Sequence, residues 1–302
     1  MMGYVHFLHP KYMGCWFLLF IIRIFVFLPY KVQMIIGGNL GILGSLFTKR
    51  RRNITAANIR ACFPHKSEAE IQKDVRKCFK SIGMSVIETI IAWFMSERRF
   101  NKLYFDINID DSFFKSHNKG QPILLVGGHF ASLEIIGRYM AERFSNVNFV
   151  YQKHKNPFFE HIMVRSREKY ANRCIQRKNV VGIVRSLRKG AIICYAPDQD
   201  FGQERTVFVP FFNIPCSTLT VIPWIVEKSN AKAIPSYYGR KDDLSGYEIS
   251  ILPAWDNIHE MDQGGARKYN EFLEKGIHKY FHQYLWQHRR FKTRPKGSAS
   301  IY

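Results

Sequence analysis

Residues 123–134 read ILLVGGHFASLE: a short apolar run, two glycines, a histidine, then the opening of an amphipathic segment. Ile123–Val126 is too short for a helix and uniformly apolar, which predicts a strand buried on both faces. Residues 131–141 carry apolar side chains at helical spacing and predict a helix. A strand that passes through a glycine turn into a helix is the building unit of an α/β sheet. Outward from this point the pattern repeats. Strands are predicted over 147–151, 191–195, 231–238 and 247–252, and helices over 158–170, 180–188 and 267–284. Upstream, residues 53–100 are helical in pattern. Ser67 and Glu70 form a capping box, and Ile87, Ile90, Ile91 and Phe94 are expected in the core. The expected fold class is α/β, a mixed buried sheet flanked by helices, with an N-terminal membrane-anchoring helix. Residues 1–50 are assigned to a membrane anchor and interfacial segment, and 51–302 to one catalytic domain.

The chain has 302 residues, 45 Lys and Arg against 24 Asp and Glu, and a formal net charge of +21. With 46% hydrophobic residues it is long enough to bury a large core without disulfides or metal. Disordered acidic chains, collagen-like polymers and small disulfide scaffolds are excluded. Two classes of partner reward such charge: nucleic acid, and an anionic membrane or phosphorylated lipid. The six cysteines are scattered, with no Cys-x-x-Cys pair, which fits reduced thiols in a reducing compartment.

The N-terminus separates the two partners. Cys15–Leu28 reads CWFLLFIIRIFVFL, apolar except for Arg23. About eleven strongly apolar residues contribute roughly −5 kcal/mol on an insertion scale, against roughly +3 for a central Arg. Insertion wins by a small margin, although the run is short of the ~20 residues that span a bilayer. A cleaved signal peptide is weakened by the missing basic start and small-residue cleavage site; a buried core helix is the plain alternative. The following segment, 32–47, carries Gly37, Gly38, Gly41 and Gly44, small residues that permit close helix contact or interfacial insertion. It runs into Lys49, Arg50, Arg51 and Arg52, a basic cluster that marks the cytoplasmic side and anionic head groups. Nucleic acid is not needed to explain the charge.

The chemistry-bearing signal is His129 with Glu134. Within one helix, residues five apart point about 140° apart, so the two meet only if His129 lies in the turn and Glu134 in the first helical turns. A carboxylate on one imidazole nitrogen fixes the tautomer and makes the other more basic, so such a dyad deprotonates a hydroxyl. A solvated histidine followed by a helix-face glutamate is the bland alternative. Asp198 and Asp200 lie just past a predicted strand, where α/β enzymes place functional groups. Two carboxylates without further acidic or histidine partners make a poor metal site, so no metal is expected; binding of a basic residue such as Arg167, or of a sugar hydroxyl, is the favoured role, and turn formation the alternative.

Around this dyad four ordered blocks resemble the lipid A biosynthesis late acyltransferases of lauroyl and myristoyl type, within the lysophospholipid acyltransferase superfamily. They are RRRNITAANIRACFP (50–64), NPFFEHIMVRSRE (156–168), YAPDQDFGQERTVFVPFF (195–212) and WQHRRFKTRP (286–295). The resemblance implies a His-x4-Asp/Glu dyad, with His129 as general base and Glu134 orienting it. It implies transfer of a fatty acyl group from acyl carrier protein to a hydroxyl of a phosphorylated, Kdo-bearing lipid A precursor. It implies no cofactor beyond that co-substrate, and a place at the cytoplasmic face of the inner membrane of a Gram-negative bacterium. Arg167 matches an arginine of the family that positions substrate, with a solvated helix residue as the alternative. Asn156 matches the Asn of its Asn-Pro pair, with a turn former as the alternative. Gln152 stands where members often carry Arg, which puts substrate contacts there in doubt. The VFVPFF and FKTRP blocks look slightly more like the lauroyl type. Phe208, Phe211, Phe212 and Trp224 are candidates for lining an acyl slot, core packing being the more ordinary role for each. A glycerophosphate-type acyltransferase is the alternative enzyme, and a basic nucleic-acid-binding protein the alternative outside enzymes.

Overall fold

The computed structural model describes residues 7–258 and 262–302. Its helical N-terminal third comprises α1 (Met13–Phe25), α2 (Tyr30–Phe47), α3 (Lys49–Cys62), α4 (Glu68–Phe94) and the single turn α5 (Glu97–Phe100). Then follow β1 (Tyr104–Ile109), α6 (Asp111–Asn118), β2 (Ile123–Val126), α7 (Leu133–Arg143), β3 (Val147–Tyr151), α8 (Pro157–Arg167) and β4 (Arg173–Gln176). The chain continues through α9 (Val180–Leu187), β5 (Ile192–Tyr195), β6 (Thr206–Phe211), β7 (Ile214–Leu219), α10 (Val221–Ser229), β8 (Lys232–Arg240), β9 (Gly246–Ile251) and α11 (Ala266–Lys279).

Seven strands form one sheet in the order β1-β9-β8-β2-β5-β3-β4. Strands β2, β3, β4, β5 and β8 run parallel, while β9 turns back against β8 and carries β1 alongside it. The mixed, buried sheet flanked by helices is the class read from residues 123–252. The central strand β2 is buried at every position, as its unbroken apolar run requires. The capping box forms: Ser67 Oγ accepts from the Glu70 N–H, and the Glu70 carboxylate accepts from the Ser67 N–H.

Several elements carried no readable period. The edge strands β1 and β4 are largely exposed, so neither shows apolar alternation. Thr206–Leu219 folds as a separate hairpin, β6–β7, whose turn is Phe212-Asn213, both at positive φ (48° and 61°). Hairpin turns of this hand favour Asn-Gly, and a phenylalanine there hides the signal.

The N-terminal run expected to anchor the chain forms a helix shorter than a bilayer span needs. Among the described residues no helix is long and apolar enough to cross a membrane. With its 13 residues, α1 spans about 20 Å at 1.5 Å per residue, against a hydrocarbon core of ~30 Å. Its extension is blocked at Val26–Leu28, where Pro29 opens α2 and the Arg99 guanidinium and Gln33 side-chain amide take up the freed carbonyls. Helix α2 instead lies along α4. A Cβ on Gly83 would stand 2.0 Å from the Gly37 carbonyl oxygen, and one on Gly41 would stand 2.2 Å from the Phe79 carbonyl oxygen, so glycines let the two backbones touch. The outward faces of α1 and α2 stay apolar: Phe17, Phe20, Ile24, Leu46 and Phe47 are all more than half exposed.

Candidate active site

Parallel neighbours β2 and β5 pair Val126 with Tyr195. His129 and Asp198 each lie three residues beyond that pair, so the register brings them to the same height at the C-terminal rim of the sheet. This is where open α/β sheets bind ligands. Both Asp198 oxygens engage His129: Oδ2 accepts the His129 N–H at 2.9 Å, and Oδ1 meets the ring Nδ1. Asp198 is 2% exposed. Burial alone would raise its carboxyl, but the His129 charge and hydrogen bonds outweigh that and hold it below the ordinary carboxylate value. For His129 burial disfavours the imidazolium, yet the Asp198 charge and hydrogen bond raise it above the ordinary histidine value. Nδ1 is thereby committed to Asp198, and Nε2 is the nitrogen left for chemistry.

The turn itself is clamped. The hydroxyls of Tyr269 and Tyr238 donate to the Gly127 and Gly128 carbonyls, the His129 carbonyl accepts from the Leu285 N–H, and the Ala131 N–H donates to the Gln283 carbonyl. A Cβ on Gly128 would stand 2.5 Å from Leu273 Cδ1, so a larger residue there would have to push Leu273 of α11 aside.

The expected pairing of Glu134 with His129 is not what the structure forms. His129 does lie in the turn and Glu134 in the first turn of α7, but among the described residues no hydrogen bond joins them. Glu134 faces α8 and α4, where its carboxylate takes both Nε (3.2 Å) and Nη2 of Arg167 and the Trp93 indole N–H (3.1 Å). The physical reason is competition: Asp198 already occupies Nδ1 from below, and a guanidinium fork suits a carboxylate better than an imidazole edge. Burial would lower the Arg167 value, but Glu134 more than reverses this and locks its charge.

The two PDQD carboxylates divide their work, and neither meets Arg167 as expected. Asp198 serves His129. Asp200 accepts from the Thr293 N–H (2.7 Å) and hydroxyl (2.8 Å), and its own N–H donates to Nε2 of His288. Burial pushes His288 down to about 4, so it stays a neutral acceptor tying this loop to the C-terminal segment. Asn156 caps α8, its Oδ1 accepting the Phe158 N–H at 2.9 Å; it does not line the cavity described next.

A cavity of about 660 Å³ opens at this rim and reaches beneath α7; His129, Glu134 and Arg167 all line it. Its mouth also carries Arg177, Lys178 and Arg205, and Arg177 sits 5.2 Å over the Phe201 ring. The sequence reading did not single out these three cations or Trp93. Arg177 directly follows the edge strand β4, whose weak pattern hid that it ends at the rim. The four aromatic candidates for the slot lie elsewhere. Phe211 is buried against Phe291 and Arg290, Phe212 packs on Phe63, and Phe208 and Trp224 are exposed at the surface.

A half-buried histidine held by a buried carboxylate, at a largely apolar cavity that Arg167, Arg177 and Arg205 also line, is an arrangement suited to proton transfer on an amphipathic ligand. The chain belongs to the bacterial lipid A biosynthesis acyltransferase family, whose sequence profile matches residues 2–293. It is therefore an acyl-transferring enzyme of lipid A biosynthesis. It is 36% identical to the lipid A biosynthesis palmitoleoyltransferase of Escherichia coli K12 over 98% of this chain and 96% of that protein. It is equally identical, at the same coverage, to the lauroyltransferase of the same organism. Identity to its myristoyltransferase is 25%, over 98% of this chain and 92% of that protein.

Proposed function

We propose that the chain moves a fatty acyl group, of the lauroyl type, from an acyl carrier protein thioester to a hydroxyl of a phosphorylated, Kdo-bearing lipid A precursor. The observation that carries this reading is the His129–Asp198 pair at the mouth of the cavity beneath α7. Nε2 of His129 takes the proton of the acceptor hydroxyl as its oxygen attacks the thioester carbonyl. The tetrahedral oxyanion then collapses, the C–S bond breaks, and the leaving thiolate takes the proton back from His129. Asp198 holds the tautomer and balances the transient imidazolium. Glu134 engages Nε and Nη2 of Arg167, and we assign Nη1 to the developing oxyanion. In this reading Glu134 acts through Arg167.

Membership of the family supports a lipid A-type acceptor, and the higher identity to the lauroyl- and palmitoleoyltransferases than to the myristoyltransferase supports the arm those two share over the myristoyl arm. Arg177, Lys178 and Arg205 suit the phosphates of such an acceptor or of the carrier's prosthetic arm. The exposed apolar faces of α1 and α2, followed by Lys49–Arg52, suit shallow insertion into an anionic cytoplasmic leaflet of the inner membrane. The enzyme would thus lie on the bilayer that holds its acceptor.

Membranes containing the protein, incubated with radiolabelled acyl carrier protein thioester and tetra-acylated Kdo-bearing precursor, are expected to yield a penta-acylated product. Transfer to glycerol phosphate acceptors alone would replace this reading by the glycerophosphate type. Absence of any acyl transfer, with salt-sensitive binding of DNA or RNA, would overturn it.

A further inference from the structure

The cavity continues well past the reacting groups. Its roof is one face of α7, where Ile136, Gly137 and Met140 follow at helical spacing. Its floor crosses the sheet. Phe149, Cys194 and Leu125 are register partners on β3, β5 and β2, and therefore share one face. Beyond them Tyr238 and Ile249 face each other across β8 and β9.

Exposure falls along this path. Gln152 at the rim is open to solvent, whereas Met140 and Ile249 are 1% and 2% exposed. The wall behind Ile249 cannot retreat. Tyr247, two residues along the same face of β9, stacks on Phe105 at 5.4 Å, and Phe105 packs on Tyr139 of α7 at 4.2 Å. Width is controlled at Gly137, where a Cβ would already stand 3.1 Å from the Phe149 ring.

We propose that Met140 and Ile249 form the end wall that sets which acyl chain the enzyme accepts, and that Gly137 keeps the slot wide enough for a methylene chain to pass Phe149. This rests on the acyl-transfer reading above and extends it to the residues that choose the donor. From Glu134 to Met140 the helix descends about 9 Å. From β2 to β9 the sheet advances two strand spacings, about 10 Å. Each wall residue thus stands about 10 Å from the groups at the rim. A donor chain longer than the slot meets Met140 and Ile249.

The test is a competition among saturated acyl carrier protein thioesters of graded length. Product ratios are read by mass spectrometry, so a smaller amount of folded enzyme does not alter the readout. Ile249→Ala and Met140→Ala are expected to shift the preferred donor to the next longer even-numbered chain, changing the ratio about tenfold or more, as one or two methylenes do in an apolar pocket. Gly137→Leu is expected to shift it towards shorter chains, with helix propensity improved rather than lost. Wild-type chain-length ratios in the alanine variants and in Gly137→Leu overturn the assignment while leaving acyl transfer intact. Failure of the wild-type protein to transfer any donor overturns the acyl-transfer reading on which it stands.

Discussion

Between residues 13 and 47 the large apolar side chains of α1 and α2 point largely away from the protein, whereas those of α7 point into it. The compositions differ, α1 and α2 being almost wholly apolar while α7 also carries Glu134, Arg138, Glu142 and Arg143, yet all are broken by glycine, with opposite consequences. On α7 the glycine opens space for a guest beside the sheet, and on α2 the glycines remove space so that two helices touch. Among the described residues the outward side chains of α1 and α2 stay exposed, and large apolar side chains left exposed together mark an interaction face. In the proposal above, one apolar face holds the fatty chain and the other meets the bilayer. Activity and membrane attachment should therefore separate by mutation.

The largest effect is expected at the rim. His129→Ala should lower turnover by about 10²–10⁴, the usual contribution of a positioned general base, while sedimentation with anionic vesicles stays at the wild-type level. Near-normal turnover would remove His129 from the mechanism. Asp198→Asn should also reduce the maximal rate, and it carries a sharper signature in pH. His129 must be neutral to accept a proton, and Asp198 raises its value. Turnover of the wild-type enzyme therefore rises as pH climbs through that raised value, and the variant's acid limb should move to lower pH.

The converse experiment strikes the outer face. Phe20→Glu combined with Phe47→Glu replaces two exposed apolar side chains and should weaken vesicle binding by an order of magnitude or more. Turnover on detergent-dispersed acceptor should survive. Undiminished vesicle binding would show that this face has another use. A smaller effect tests the seam between α2 and α4. Gly83→Ala forces a methyl group against the backbone of α2 and is expected to cost about 1–3 kcal/mol, read as a lower unfolding midpoint with the pH profile unchanged. A related check concerns His288, whose folded value of about 4 lies below the ordinary histidine value. Its contribution to stability is complete above about pH 6.5 and is lost as pH falls towards the folded value, so His288→Gln should flatten the acid side of the stability curve.

Much of the α/β organisation was legible because buried strands must be apolar and amphipathic helices must repeat near 3.6 residues; Ile123–Val126 and Val147–Tyr151 are observed with the boundaries read from sequence. Edge strands such as β4 escape this logic, since half their surface meets water. The turn carrying His129 was legible too, because two glycines after an apolar run leave few other conformations. Its partner was not. Glu134 stands five residues away in sequence, but the strand register brings Asp198, 69 residues distant, to the same height.

Taken alone, the sequence determined the sheet's central strands, the histidine turn, the basic and apolar zones and the family resemblance, all local or compositional properties. Only the tertiary structure decided that Asp198 rather than Glu134 holds His129, that Glu134 holds Arg167, and that the first apolar helix ends at Phe25 instead of running on through Pro29. Each of these depends on which elements pack side by side. Pairing across a sheet or between helices is a contest among distant groups for one position, and spacing along the chain does not record who wins it.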